Sequence, residues 1–315
     1  MQWIELEQYI AEHFPGRYQF GAPMSQHTTF HVGGPADMLV MPTTQEEVAG
    51  LIQKGREAQI PLTIMGNGSN LLVLDRGIRG LVIKLGNGLR QVQRMGCCLY
   101  AEAGITLATL AGKAAQWGLT GLEFASGIPG TLGGAVLMNA GAYGGEIGNL
   151  VEEVSTLSLE GEQKSYKHRD CAFRYRHSLF QDTGEIVLWV KLHLTPGTTD
   201  AIRETMTDLA NRRQAKQPLN YPSAGSTFKR PAGNYAAALI DQAGLRGFRI
   251  GDAQVSEKHT GFVVNRGHAT AADILQLMDA VRERVHAMSG IWLEPEVRIL
   301  GEANTPEEKG GRSHE

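Results

Sequence analysis

The amino-acid sequence predicts an α+β fold, and two observations carry that prediction. Stretches with helical periodicity and capping residues are found along the whole chain. Between them lie β-prone runs separated by short turns such as Glu160-Gly161, a pattern typical of antiparallel hairpins. The 315 residues are enough for two domains or for one large domain, and Pro196-Gly197 is the best candidate boundary.

In the first half of the chain, two helices are marked by their N-terminal caps. Thr44 and Glu47 have the spacing of a capping box, and the helix that follows should end near Gly55 or Ala58. Thr106 caps a second helix, which Gly118 ends. Short strands are expected at 61–65, 71–74 and 80–85.

The second half contains the clearest strand and the clearest helix. A hairpin at 154–167 and a strongly β-prone run at 186–194 precede the boundary, and a charged helix at 200–216 follows it. Thr270 and Asp273 cap the last helix, whose apolar residues lie on one face up to Gly290. Further predictions are a short helix at 236–242, a closing strand at 292–300 and a disordered polar tail at 301–315.

These boundaries predict an N-terminal segment (1–30), two domains (31–196 and 197–301) and a tail (302–315). The formal net charge of −3 argues against a nucleic-acid partner. No run of about 18 apolar residues predicts a membrane span, and the acidic N-terminus does not have the pattern of a signal peptide. We therefore expect a cytoplasmic protein with no membrane contact and no obligate protein partner.

The cysteines and histidines predict neither a disulfide framework nor a metal site. The three cysteines are an odd number without a CxxC spacing. Four histidines that could be ligands have no metal-ligand spacing either. These residues are Cys97, Cys98 and Cys171, and His168, His177, His193 and His259.

Glycine is the unusual feature of the composition, with 39 residues, and eight of them lie within the 23 residues from Ser126 to Gly148. The P-loop pattern fails because Ala114 follows Gly112-Lys113, and the dinucleotide fingerprint fails at residues 66–71 and 86–91. Two glycine loops, 66–70 and 126–134, nevertheless offer backbone N–H groups that could hold a pyrophosphate from two sides. The alternative is that both are ordinary tight turns.

Six blocks give the chain its resemblance to a known family. They are GNGSNLLV (66–73), SGIPGTLGGAVLMNAGAYGGE (126–146), FRYRHSLF (173–180), PSAGSTFKRP (222–231), GDAQVSEKHTGFVVN (251–265) and LEPEVRILG (293–301). In this order they resemble the UDP-N-acetylenolpyruvoylglucosamine reductase (MurB) family over residues 20–301. The passage from FRYRHSLF to the second domain resembles the shorter, type II form. Departures at Ala237, Asp252 and Thr260 concern packing and cofactor contact.

The resemblance implies an FAD-binding domain of the vanillyl-alcohol-oxidase (PCMH) type, followed by a smaller α+β substrate-binding domain. It implies non-covalent FAD held against the two glycine loops, where a Cβ would collide with the cofactor. The implied contacts are Gly66, Asn67, Gly68, Ser69, Asn70, Gly127, Pro129, Gly130, Thr131, Gly133, Gly134, Asn139, Ala140, Gly141, Arg213 and Arg298. The two arginines are further cations that could face the flavin or the diphosphate.

The implied reaction uses NADPH, through FAD, to reduce the enolpyruvyl ether of UDP-N-acetylglucosamine enolpyruvate to the lactyl ether of UDP-N-acetylmuramate, for peptidoglycan synthesis. Ser226 matches the family's proton donor. Arg176 matches an arginine whose planar fork suits a carboxylate, and Glu296 matches a glutamate that could share a proton with it. Arg174 and Glu294 are their nearest rivals in sequence. Tyr175, Lys229 and Arg230 are candidates for binding the UDP-sugar.

Two other functions remain open at this point. A flavin oxidase of the same fold superfamily would use O₂ in place of NADPH. A non-catalytic module would bind a UDP-sugar or nucleotide without flavin.

Overall fold

The computed structural model describes residues 2–303, so the predicted tail lies outside the described residues from 304 onward. The described chain mixes helices with mainly antiparallel strands, as predicted. The helices are α1 (Gln2–His13), α2 (Gln45–Glu57), α3 (Leu107–Gln116), α4 (Leu132–Leu137), α5 (Leu179–Thr183), α6 (Thr199–Lys216), α7 (Ala236–Gln242) and α8 (Ala271–Ser289).

The strands are short, and they form several small sheets. They are β1 (Tyr18–Pro23), β2 (Pro35–Val40), β3 (Leu62–Met65), β4 (Leu71–Val73), β5 (Ile78–Lys84), β6 (Val92–Met95), β7 (Cys98–Glu102), β8 (Leu119–Thr120), β9 (Gly141–Ala142), β10 (Gly145–Glu146), β11 (Val151–Leu157), β12 (Gln163–Lys167), β13 (Ile186–His193), β14 (Thr195–Pro196), β15 (Arg249–Ile250), β16 (Ala253–Val255), β17 (Val263–Asn265) and β18 (Arg298–Leu300).

Three helices begin at the threonine caps that the sequence predicts. Thr44, Thr106 and Thr270 each accept a hydrogen bond from the backbone N–H three residues later. At Thr270 the capping box is complete. At Thr44 it is only half formed, because the Glu47 carboxylate accepts from the Thr43 N–H and from Arg17 instead.

The chain divides into two compact units. Unit 1 comprises residues 1–19, 39–67 and 81–215, and unit 2 comprises residues 20–38, 68–80 and 216–315. The chain therefore crosses between units several times. The linear domain boundaries derived from the sequence stay a prediction.

Unit 1 is built on a five-stranded antiparallel sheet in the order β12-β11-β13-β7-β6. The predicted hairpin is confirmed, with Glu153 opposite Lys167 and Leu157 opposite Gln163. Helices α3 and α4 contribute to one hydrophobic core with this sheet, through residues such as Leu110 and Val136. A second sheet has the order β1-β2-β5-β3, in which β3 and β5 run parallel.

Unit 2 has its core under helix α8. Ile274, Leu277 and Val281 are fully buried and cluster with residues of the β15-β16-β17 sheet. Strand β18 pairs in parallel with β4, through Arg298–Leu71 to Leu300–Val73. The predicted closing strand at 292–300 is wrong over its first six residues, because Pro295 lies in an isolated bridge with Phe228 instead.

Within residues 2–303, no helix is both long enough and apolar enough to cross a membrane.

Candidate active site

The second glycine loop ends in a short helix, α4, that the sequence did not predict. Buried Thr131 caps it by accepting a hydrogen bond from the Gly134 N–H. The loop is also fixed by backbone bonds, from Gly133 N–H to the Ala103 carbonyl (2.8 Å) and from Leu132 N–H to the Ile105 carbonyl (2.9 Å). These bonds explain how a sequence with two adjacent glycines forms a helical turn.

Several glycines of the two loops are required by the protein itself. A Cβ on Gly133 would lie 2.8 Å from the Ala103 Cβ, and a Cβ on Gly141 would lie 2.6 Å from the Gly145 carbonyl oxygen. A Cβ on Gly66 would collide with the Thr131 hydroxyl, so Gly66 of the first loop lies against Thr131 of the second. The expectation that these glycines only make room for a cofactor is therefore incomplete.

Gly134 is different, because it is exposed and, among residues 2–303, a Cβ there would meet no close contact. A Cβ at this position would meet only the Thr131 Oγ1, at an ordinary 3.5 Å. Gly127 and Pro129 are also exposed. The loop consequently exposes glycine backbone at residues 127 and 134.

Arg213, on helix α6, lies against the same loop. A Cβ on Gly127 would be 3.1 Å from both Cδ and Nη1 of Arg213. The guanidinium is half-buried, and this burial lowers its pKa. Within residues 2–303 it makes no ion pair with an acidic side chain. A partly desolvated cation beside the exposed backbone of Gly127 is suited to an anion such as a diphosphate.

The end of the glycine-rich stretch is fixed by Asn139, which is buried and has a positive φ of 41°. Its side-chain NH₂ donates to the Arg174 carbonyl and to Glu146 Oε2, both at 3.1 Å. Its carbonyl accepts from the Gly148 N–H at 2.9 Å. This one side chain therefore connects the glycine-rich stretch to the segment that carries Arg176.

Arg176 lies in a tight turn closed by two backbone hydrogen bonds between Arg174 and His177. Its φ of 54° is a left-handed conformation that non-glycine residues rarely adopt. The half-buried guanidinium donates to the Gly141 carbonyl at 3.2 Å and lies 4.9 Å from the Tyr175 ring. The rival Arg174 is exposed. Backbone strain of this kind is concentrated at functional sites.

The segments that carry Ser226 and Glu296 pair with each other in unit 2. The Glu296 N–H donates to the Thr227 carbonyl (2.8 Å), and the Lys229 N–H donates to the Glu294 carbonyl (2.8 Å). Ser226 is exposed, and among residues 2–303 its hydroxyl makes no hydrogen bond. The next residue, Thr227, is buried and accepts from the Val263 N–H. A rigid bridge thus holds the exposed Ser226 next to the Glu296 segment.

The last residues of the first glycine loop join this bridge. Asn70 donates from its side chain to the Glu296 carbonyl at 3.1 Å, and its own carbonyl accepts from the Arg298 N–H at 3.0 Å. Gly68 has a φ of 66°, and Ser69 is half-buried. The loop 66–70 passes from unit 1 to unit 2, with Gly66 and Asn67 in the first and Gly68, Ser69 and Asn70 in the second.

The remaining candidates have partners of their own. Lys229 forms an ion pair with Glu294, the rival of Glu296. The Arg230 guanidinium lies 4.6 Å from the Tyr235 ring, and Tyr175 and Arg298 are exposed.

Sequence reasoning missed two supporting residues, Thr227 and Gln181. Gln181 donates to the Arg176 carbonyl at 3.0 Å, and no local pattern marks such a contact.

Known proteins are similar to this chain over most of its length. A family model described as "UDP-N-acetylenolpyruvoylglucosamine reductase, C-terminal domain" matches residues 217–300, and one described as "FAD binding domain" matches residues 35–165. The UDP-N-acetylenolpyruvoylglucosamine reductase of Agathobacter rectalis is 50% identical over 292 residues, covering 89% of this chain and 93% of that protein. The enzyme of the same name from Heliobacterium modesticaldum is 47% identical over 303 residues, covering 96% of each chain.

A solved structure agrees with the sequence matches. The crystal structure of UDP-N-acetylenolpyruvylglucosamine reductase from Thermus caldophilus is 36% identical, covers 90% of this chain and 98% of its own, and superposes with a TM-score of 0.77. The predicted α+β fold with an FAD-binding domain is confirmed. The chain belongs to the UDP-N-acetylenolpyruvoylglucosamine reductase family.

Proposed function

We propose that this enzyme reduces UDP-N-acetylglucosamine enolpyruvate to UDP-N-acetylmuramate with NADPH as reductant and non-covalently bound FAD as cofactor. One hydride and one proton are added across the carbon–carbon double bond of the enolpyruvyl group, and NADPH becomes NADP⁺. The observation that carries the proposal is the bridge between residues 227–229 and 294–296, which pairs Thr227, the residue after Ser226, with Glu296. The membership of the chain in the reductase family supports it.

The residues of unit 1 fit an FAD pyrophosphate. The half-buried cation Arg213 lies against exposed Gly127, and among the described residues a Cβ on exposed Gly134 would meet no close contact. Gly130, Thr131, Gly133, Asn139, Ala140 and Gly141 complete this surface in our proposal, with Gly66 and Asn67 of the first loop. When bound, FAD accepts hydride from NADPH and delivers it to the substrate.

Arg176 is proposed to bind the substrate carboxylate. Addition of hydride to the terminal carbon of the enolpyruvyl group leaves negative charge on the adjacent carbon and its carboxylate. The planar guanidinium can donate two parallel hydrogen bonds to that carboxylate and stabilise the charge as it develops. The fixed turn and the contact with Gly141 support this role, because they hold the arginine in one conformation.

Ser226 is proposed to give the proton to the carbon next to the carboxylate. A serine hydroxyl is a weak acid, but the carbanionic centre that it protonates is strongly basic, and water can return the proton to an exposed serine. Glu296 is proposed to share a proton with the substrate carboxylate, which would favour the enolate form of the intermediate. The lack of a competing hydrogen bond on the Ser226 hydroxyl, within residues 2–303, supports its availability.

Further residues are proposed to contact the cofactor and the substrate. Gly68, Ser69, Asn70 and Arg298 of unit 2 are proposed as further cofactor contacts, and Tyr175, Lys229 and Arg230 as contacts of the UDP-sugar. The enzyme is proposed to act in the cytoplasm, to support cell shape and division through peptidoglycan synthesis, and to need no nucleic-acid, membrane or obligate protein partner. The linear domains 31–196 and 197–301 are proposed as cofactor-binding and substrate-binding domains.

An absorbance experiment tests the function. The purified protein should be yellow, should bleach on anaerobic addition of NADPH, and should regain its colour when the enolpyruvyl substrate is added. Denaturation should release the flavin, because it is not covalently attached. Rapid recovery of colour in air without that substrate would indicate an oxidase instead, and a colourless protein that still binds UDP would indicate a binding module.

The cofactor surface is tested by two neighbouring glycines. Gly134→Val should fold but retain little FAD, because its side chain extends only into the proposed cofactor space. Gly133→Ala should instead lower the free energy of unfolding of the protein without cofactor, because its Cβ meets Ala103. Full flavin occupancy in Gly134→Val would contradict the proposed contact.

A further inference from the structure

Three strands of the unit 1 sheet bring together a thiol, a carboxylate and an imidazole that are far apart in sequence. Cys98 lies on β7, Glu152 on β11 and His193 on β13. The Cys98 Sγ is 3.7 Å from the His193 Nδ1 and 3.8 Å from the Glu152 Oε2. The His193 Nδ1 is 3.0 Å from the Glu152 Oε1.

The sheet register explains this cluster. Cys98 and His193 are directly opposite on antiparallel strands, so their side chains lie on the same face. The β11–β13 register shifts between Val151 and Glu153, which makes Glu152 the irregular residue. Such an irregularity re-aims a side chain. The neighbouring residues Leu99 and Leu192 are buried, so the cluster occupies the outer face of the sheet.

The spacing of the three atoms matches the first shell of a zinc ion. With Zn–S near ~2.3 Å and Zn–N or Zn–O near ~2.0–2.1 Å, a tetrahedral ion separates sulfur from nitrogen or oxygen by ~3.5 Å, and nitrogen from oxygen by ~3.3 Å. The separations in the protein differ from these values by a few tenths of an ångström, where the sulfur–oxygen distance is to Oε2 of Glu152 and the nitrogen–oxygen distance is to Oε1 of the same carboxylate. One ion could therefore contact all three groups after small side-chain movements.

We propose that Cys98, Glu152 and His193 bind one Zn²⁺ ion on the outer face of the unit 1 sheet. The mixture of thiolate, imidazole and carboxylate favours zinc over magnesium or calcium. His193 is exposed, so water completes the coordination. The thiol of Cys98 releases its proton to solvent as the Zn–S bond forms, and no electron is transferred.

Lys191 lies beside the cluster and weakens it as a cation site. Its Nζ is 2.6 Å from the Glu152 Oε2, which leaves the Oε1 next to His193 for the ion. The positive charge of Lys191 repels a divalent ion at this distance. Removal of the lysine charge should therefore increase zinc affinity, an effect opposite in sign to the removal of a ligand.

Calorimetric titration of the FAD-loaded protein, without a histidine tag, with ZnCl₂ tests the site. The wild type should bind one ion per chain at this site. Cys98→Ser and His193→Gln should each weaken this binding at least about tenfold, since even outer-shell changes cost about 10–100-fold. Lys191→Met should bind zinc more tightly, and Cys97→Ser is the matched control, which should bind like the wild type.

Thermal unfolding gives a second measurement. Zinc should raise the unfolding temperature of the wild type and of Cys97→Ser, because an ion that binds the folded chain stabilises it. It should not raise that of Cys98→Ser. Equal zinc affinity in wild type and Cys98→Ser would overturn the site, and so would an equal loss in Cys97→Ser and Cys98→Ser.

Discussion

The turn that carries Arg176 and the bridge that carries Ser226 fix their side chains in different ways. The turn has a left-handed residue at Arg176 and depends on the side chains of Asn139 and Gln181. The bridge is made mainly by backbone N–H and carbonyl groups of residues 227–229 and 294–296. We infer that the arginine site is sensitive to mutation of Asn139 and Gln181, whereas at the serine site the side chains that matter are few, chiefly Thr227 and Asn70.

The largest effect should come from Ser226 itself. Ser226→Ala should bind FAD and bleach with NADPH at a near-normal rate, because hydride transfer from NADPH needs no proton from Ser226. Colour recovery with the enolpyruvyl substrate should slow by about 10²–10⁴-fold, the usual contribution of a general acid. Stopped-flow absorbance measures both rates. Ser223→Ala, in the same loop, is the control, and an unchanged recovery rate in Ser226→Ala would refute the proton donor.

The second-largest effect should come from loss of the planar guanidinium of Arg176. Arg176→Lys keeps one positive charge but loses the planar pair of donors, so the enolpyruvyl half-reaction should slow by about 10²–10³-fold. Bleaching by NADPH should change much less. Arg174→Lys, with its exposed side chain two residues away, should be nearly normal in both half-reactions. Equal damage to both half-reactions in Arg176→Lys would show that this residue acts on the cofactor or the fold.

The dependence of the Arg176 turn on a neighbouring side chain is tested most directly by the free energy of unfolding. Asn139→Ala removes a buried side chain with three hydrogen bonds and should lower the free energy of unfolding by about 3 kcal/mol. It should also slow the enolpyruvyl half-reaction, because the turn that carries Arg176 loses the hydrogen bond from Asn139 to the Arg174 carbonyl. Denaturant unfolding measures the first effect, and the exposed Asn149→Ala is the control. If Asn139→Ala keeps wild-type stability and rate, the turn does not depend on this side chain.

The ion pair between Arg17 and Glu47, which belongs to neither region, should give a smaller effect that depends on pH. Hydrogen bonds from Arg17 lower the pKa of Glu47 from 4.5 to about 2. The stabilisation is therefore full above pH 4.5 and is lost as the pH falls through about 2. Glu47→Gln should cost about 1 kcal/mol at pH 7, since solvent screens the partly exposed pair.

The cost of Glu47→Gln should disappear near pH 2, which urea unfolding at several pH values will show. Glu57→Gln, whose carboxylate pairs with Lys54 on an exposed helix surface, should change stability little at any pH. A cost that persists at low pH would mean that shape rather than charge matters at Glu47.

Local patterns predicted much of this fold because local chemistry decides those parts. The threonine caps, the 154–167 hairpin and α8 all depend on residues a few positions apart. Helix α4 was not predicted, because its stability comes from Thr131 and from backbone bonds to Ala103 and Ile105. Strand β18 is shorter than the predicted strand 292–300 for a similar reason, since Pro295 pairs with the distant residue Phe228 instead.

The candidate site shows the same limit. Sequence motifs identified Arg176, Ser226 and Glu296, but not the residues that hold them, such as Asn139 for the turn and Thr227 for the bridge. The spacing of histidines gave no sign of a metal ligand, yet β-sheet pairing brings His193 to Cys98. Contacts between distant strands leave no periodic trace in the sequence.

The pairing of β4 with β18 has a consequence for the biosynthesis of the protein. Residues 71–73 are synthesised well before their parallel partner, residues 298–300. Leu72 and Val73, fully buried in the folded protein, therefore lack this strand partner until the residues between the two strands have been synthesised. Non-local pairing of this kind slows folding and leaves apolar segments exposed to aggregation. Nascent chains that stall or are cut before residue 298 should consequently be substrates for chaperones and proteases.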